Sequence, residues 1–134
     1  MKSPAVSRLC ILMLSIFIPL ASHATAITEK CPSINAIASA DFYSAHISYK
    51  YPDKWAVEQV GNKYDLDTPL KWDFVILVDA KTEEDALHKA KNSLVLMKMP
   101  DAPTHVDNGF MFCEYKMPAG FIAIAAYPSG YISL

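Results

Sequence analysis

The sequence predicts an α+β domain built on a mostly antiparallel sheet of four to five strands, with two helices packed on one face. Three observations predict it. The 134 residues are 52% hydrophobic and 19% charged, which is core material for one folded domain and not the composition of a disordered chain. Segments of strand-like alternation and short apolar runs lie on both sides of one segment with helical periodicity. The resulting order is helix, two or three strands, helix, two strands, with turn residues between neighbours.

The elements follow in chain order. Cys31-Pro32-Ser33 opens a short helix over 34–42, where Ile34, Ile37, Ala38 and Phe42 recur at helical spacing and Pro32 sits where a first turn tolerates it. From His46 to Tyr51, Ile47, Tyr49 and Tyr51 alternate with Ser48 and Lys50, predicting a strand that Pro52-Asp53 ends. Trp55, Val57 and Gln59 alternate with Ala56, Glu58 and Val60, predicting a second strand. Gly61-Asn62 then reads as a two-residue hairpin turn, with a returning strand from Lys63 that Thr68-Pro69 interrupts. Trp72 to Val78 is a nearly continuous apolar run that suits a central strand.

The strongest local signal is a helix from Glu83 to about Met97. Thr82 and Asp85 form a capping-box variant, Glu83, Glu84 and Asp85 load the first turn with acid, and Lys89, Lys91 and Lys98 follow, which matches the helix dipole. Leu87, Ala90, Leu94 and Met97 make the apolar stripe, Asp85 and Lys89 pair four residues apart, and Pro100 stops the helix. Asp101 to Gly109 reads as a polar loop. Phe110–Tyr115 and Phe121–Tyr127 then form a hairpin across Pro118-Ala119-Gly120.

Ahead of this domain stands a leader. Lys2 and Arg8 precede an apolar core from Leu9 to Leu20, broken only by Ser15 and Pro19, and small residues follow, as in a secretory signal peptide. The core is shorter than the about 20 residues a spanning helix needs. Cleavage after Ala24, in Ser22-His23-Ala24, leaves residues 25–134 as the mature domain; Ala24-Thr25-Ala26 is the alternative site. No lipid-anchoring cysteine follows the small residues, so the expectation is a periplasmic or secreted protein with no stable membrane anchor after cleavage. Loss of residues 1–24 removes two positive charges and no negative one, moving the formal charge from −2 to −4. With no run of lysine or arginine, nucleic acid is excluded as a partner class.

Cys10 leaves with the leader, and Cys31 and Cys113 remain. Two cysteines in an exported chain predict one disulfide, with a free thiol at Cys113 or a shared metal site as the other readings. Together, Cys31-Pro32, Trp72-x-Phe74, the helix with Thr82 and Ala86, Phe112-Cys113-x-Tyr115 and the Phe121–Tyr127 strand before Pro128 resemble a family of small exported proteins of unknown function from Gram-negative, host-associated bacteria. The resemblance spans nearly the whole mature chain. It implies an exported α+β domain and transfers no active-site residue.

No set of residues announces catalysis. There is no Gly-x-Ser-x-Gly elbow, and the glycines at 61, 109, 120 and 130 are too isolated for a phosphate loop. His105-x-Asp107 with Asp101 lacks an identifiable third metal ligand, His88 falls on the polar side of its helix, and Asp65-x-Asp67 fails as a calcium loop because Pro69 and Leu70 follow. No catalytic residue, cofactor or metal ligand is therefore assigned. Tyr49, Tyr51 and Trp55, interleaved with Lys50, Asp53 and Lys54, are the candidate platform for a protein or carbohydrate, the competing reading being that these rings pack against the sheet. The function expected is non-enzymatic binding of another macromolecule. A small hydrolase or small-ligand carrier, using a cleft between sheet and helix, is the alternative.

Overall fold

A computed structural model describes residues 30–118, 120–130 and 132–134. The predicted leader and both candidate cleavage sites lie outside these residues, as does Ala119 of the predicted Pro118-Ala119-Gly120 turn. The elements are α1 (Ile34–Ser39), β1 (Ser44–Ile47), β2 (Trp55–Asn62), β3 (Trp72–Val78), α2 (Glu83–Ser93), β4 (Thr104–Val106), β5 (Phe110–Tyr115) and β6 (Ile122–Tyr127). The strands form one antiparallel sheet in the order β1-β2-β3-β6-β5-β4. The α+β class and the antiparallel sheet are as the sequence predicts. The strand number and the balance of the helices are not: the described residues form six strands, one main helix and one short helix ahead of β1.

The extra strand comes from the segment predicted as a polar loop. All three residues of β4 are exposed, so no apolar alternation marks them, and they are held by pairing with β5 across a turn in which Asn108 and Gly109 both take positive φ. A second correction concerns Gly61-Asn62. These residues end β2 instead of turning it: the register with β3 shifts between Gln59 and Asn62, and Gly61, at φ +68°, supplies the bulge. No strand starts at Lys63. β1 ends at Ile47, so Tyr49 and Tyr51 belong to the connection and not to a strand.

Register alternation sorts the side chains onto two faces. Row partners Gln59, Phe74, Ala125 and Cys113 cross β2, β3, β6 and β5 in line. α1 lies along this row. Its entrance is bonded to Cys113 through the Cys31–Cys113 disulfide, with 5.8 Å between Cα atoms, and its exit is held by Gln59, whose buried amide donates to the carbonyls of Ile37 and Ala40. Ile37, fully buried, points between them. Ser33 caps the helix by accepting from Ala36 N–H, and Asp65 accepts from Ser33 N–H at 3.0 Å. Burial opposes the charge on Asp65, yet these Ser33 hydrogen bonds outweigh it and hold the carboxyl below its usual range.

α2 covers the β1, β2 and β3 end of the same face. Thr82 Oγ accepts from Asp85 N–H, and Asp85 reaches back to Lys81 N–H and across to Lys89 at 3.1 Å. The Lys81 N–H, then Lys89, keep the Asp85 carboxyl below its ordinary range. The α-helix stops at Ser93 and one tighter turn, Leu94–Leu96, carries the chain on, so the buried set is Ala86, Ala90, Ser93, Leu94 and Met97 while Leu87 is half-buried. The small residues let α2 sit close to the sheet.

Tyr115 and Tyr64 tie the N-terminal segment down. Tyr115 donates to Pro32 carbonyl at 2.6 Å and Tyr64 donates to Gln59 Oε1 at 2.9 Å, closing the network around α1. Burial first pushes both phenols far above their ordinary value of 10.0, with the Asp73 charge adding to it at Tyr64 and the charges of Tyr64 and Asp65 at Tyr115. A raised folded value means stability that is complete below about pH 10 and is lost as pH rises further. Unfolding measured against pH should therefore show a loss above about pH 10 that is reduced in Tyr115→Phe. Replacing both bridge cysteines with serine should lower stability by about 4–5 kcal/mol in denaturant titration, because the bridge closes most of the domain into one loop.

Candidate functional site

The three aromatic residues singled out by sequence do not share a surface. Trp55 opens β2 on the helix-bearing face, paired with Val78 and Ile47, and packs against the main core. Tyr51 turns to the other face and covers Ala56, Val75 and Leu77. Tyr49 alone stands out, 85% exposed. The β1–β2 connection is tight: Ser48, buried, donates its N–H to Lys54 carbonyl, and its hydroxyl accepts from Tyr51 N–H at 3.0 Å. That turn leaves the Tyr49 ring exposed while Tyr51 packs on the sheet.

Exposed apolar side chains flank β1 and the turn after it. Tyr43 and Ile47, 78% and 54% exposed, flank the same end strand, and the His46 ring lies 5.6 Å from that of Tyr49. Among the described residues β1 is the outermost strand on its side. Since Ser48 N–H points to β2, the alternation of an antiparallel ladder turns the N–H and C=O of Ile47 the other way. Lys54, which the carboxylate of Asp79 meets at 2.8 Å, closes the end of the turn; that hydrogen bond raises its pKa. On the side of β1 where Tyr49 meets His46, His46 Nε2 stands 3.9 Å from Glu58, and Ser44 Oγ donates to Glu58 at 3.3 Å. The signal that sequence reading missed here is Tyr43, which precedes the strand and falls outside the aromatic interleaving.

Other candidates are placed as follows. His88 is exposed on α2 beside Asn92, and His105 lies on β4, opposite Met111. No three His, Cys, Asp or Glu side chains converge among the described residues. Cys113, fully buried, is committed to the disulfide. A cleft of about 370 Å³ opens between α2 and the sheet, lined by Val78, Asp79, Lys89, Asn92, Ser93, Leu96 and Phe121. Its lining holds one carboxylate, and Lys89 Nζ already donates to the Asp79 carbonyl at 2.8 Å.

Comparisons with protein-family models, with curated proteins and with solved structures each return no match for this chain. The split of the three aromatics is open to measurement. Tyr49→Ser should change stability by less than about 0.5 kcal/mol, whereas Trp55→Ala and Tyr51→Ser should each cost about 1–3 kcal/mol in denaturant unfolding, as packing residues do.

Proposed function

We propose that this chain is an exported, disulfide-stapled domain that acts without catalysis, by binding a partner protein along the β1 edge. One observation carries the reading: an end strand whose outer backbone groups face away from the sheet is flanked by the exposed rings of Tyr43 and Tyr49 and by Ile47. An extended partner segment added there gains main-chain hydrogen bonds, and flat, stiff aromatic side chains give it contact area at little entropic cost. The disulfide supports an oxidising compartment, and no helix among the described residues is long and apolar enough to cross a membrane. Export itself rests on the leader, and the family resemblance rests on its motifs.

The cleft beside α2 favours a second reading, a small-ligand carrier, since its walls are apolar at Val78, Leu96 and Phe121 and polar at Lys89 and Asn92. With a single carboxylate in its lining it lends no support to a two-carboxylate hydrolase.

The test captures partners from periplasmic and host extracts with the mature, oxidised chain, its start and thiol state fixed by intact mass. Ile47→Pro removes an outward N–H while leaving the inward ladder to β2 in place. Recovery of one partner protein that is lost with Ile47→Pro and falls about tenfold with Tyr49→Ser is the expected outcome. Recovery that both variants leave unchanged would move binding away from β1, and capture by polysaccharide beads would replace the protein partner with a carbohydrate.

A further inference from the structure

The face of the sheet opposite the helices is apolar at its centre. Val75 and Leu77 of β3, Ala56 of β2, Ile122, Ile124 and Ala126 of β6, and Phe112 of β5 form adjoining cross-strand rows on it. No helix among the described residues covers them. The chain's own C-terminal tail does: Ile132 and Leu134, two residues apart, pack with Tyr51 against Ala56, Val75 and Leu77. Beside the tail a cavity of about 240 Å³ stays open, lined by Phe110, Phe112, Ile124, Ala126, Ile132, Ser133 and Leu134. The face is thus shaped for more apolar side-chain volume than the tail supplies.

A single residue turns the tail onto this face. Asp73 lies within a β3 whose seven residues are all buried. Its carboxylate accepts from Gly61 N–H at 2.8 Å, from Gly130 N–H at 2.7 Å and from the hydroxyl of Ser129, while Ser129 N–H donates to Lys71 carbonyl. The chain leaves β6, is caught on this carboxylate, and doubles back across β3. Among the described residues, the rest of the tail meets this face through Ile132 and Leu134.

We propose that this face is a groove for an extended aliphatic segment of a partner protein, and that Ile132 and Leu134 hold it closed in the free chain. The tail itself states the chemistry of the occupant: branched aliphatic residues at alternate positions, with no charged side chain anywhere in residues 128–134. Glu58 and Glu114 stand in the cross-strand row that holds Val75 and Ile124, one on each side, which sets the groove against acidic segments. This interaction goes beyond the β1 edge and does not use it. A groove occupied by its own chain lowers apparent affinity by the fraction of time it is open, and releasing the tail restores it.

The probe is a synthetic peptide with the sequence of residues 130–134, Gly-Tyr-Ile-Ser-Leu, blocked at its N-terminus and carrying a fluorophore, against a control with serine at both aliphatic positions. Binding is read by anisotropy on the full oxidised chain, on Ile132→Ser with Leu134→Ser, and on Asp73→Asn, each checked for cooperative unfolding. The first peptide should bind the tail variant at least about tenfold more tightly than the unmodified chain. Asp73→Asn, with its tail side chains intact, should tighten binding by a smaller factor, the control peptide should bind none of them, and Ile47→Pro should change nothing. In the unmodified chain, saturating peptide should speed hydrogen exchange at the Ile132 and Leu134 amides, a readout that needs no variant to fold. A folded tail variant that binds no more tightly than the unmodified chain overturns the proposal, as does binding in that variant that survives Phe112→Asp. A concentration-dependent dimer abolished by the tail substitutions also overturns it, by making a second copy the occupant.

Discussion

One covalent contact decides how the helix-bearing face is built. The Cys31–Cys113 bridge fixes the entry to α1 over β5, and Gln59 holds its end over β2, so the segment from Cys31 to Ala40, with its six-residue helix, spans the sheet from β5 to β2. A helix that short has no stability of its own in water. It persists because both ends are tied and because Ile37 is driven between them into the core. The buried Gln59 is tolerated for the same reason, since its donors meet two carbonyls at the helix exit and its oxygen meets Tyr64. Bridge, amide and phenols form one network, and removing any member leaves the others buried with fewer partners.

The two faces are held by different physics. Side chains of α1 and α2 close one of them with a continuous core that runs from Cys31 to Tyr127. On the other, the described covering is Tyr51 from a turn with Ile132 and Leu134 of the tail, over a core of three buried residues. Antiparallel sheets leave one face wet when no second layer exists, and here that face is too apolar to be left wet and too thinly covered to be a second core.

Elements with a strong local signal were legible in the sequence. Thr82 and the acids after it mark the start of α2, the unbroken run from Trp72 to Val78 marks a strand buried on both faces, and the two cysteines mark the bridge. β4 was not legible, because all of its side chains are exposed and only pairing with β5 makes it a strand. The Asn108-Gly109 dipeptide was the available clue, being the residue pair that a tight hairpin favours, while the similar Gly61-Asn62 proved to be a bulge. The aromatic candidates misled for a related reason. Alternation makes Tyr49 and Tyr51 equivalent only if the strand continues, and the buried Ser48 turns the chain first, leaving Tyr49 exposed and Tyr51 packed. Asp73 looked like an interruption in an apolar run; only its three donors, from segments distant in sequence, explain it.

The position of β6 has a consequence for the order of assembly. It is the last of the described strands in sequence, yet it lies between β3 and β5 in the middle of the sheet. Before it arrives, the meander of β1, β2 and β3 shares no ladder with the β4–β5 hairpin, and the two pieces have facing edges with nothing between them. The bond from Cys31 to Cys113 joins residues that both precede β6, so it can hold the hairpin beside the meander while the gap is still open. With that bond in place, the slot that β6 fills is bounded on both sides. A small domain thereby gains a late, non-local pairing without leaving two sheet edges free to find other chains.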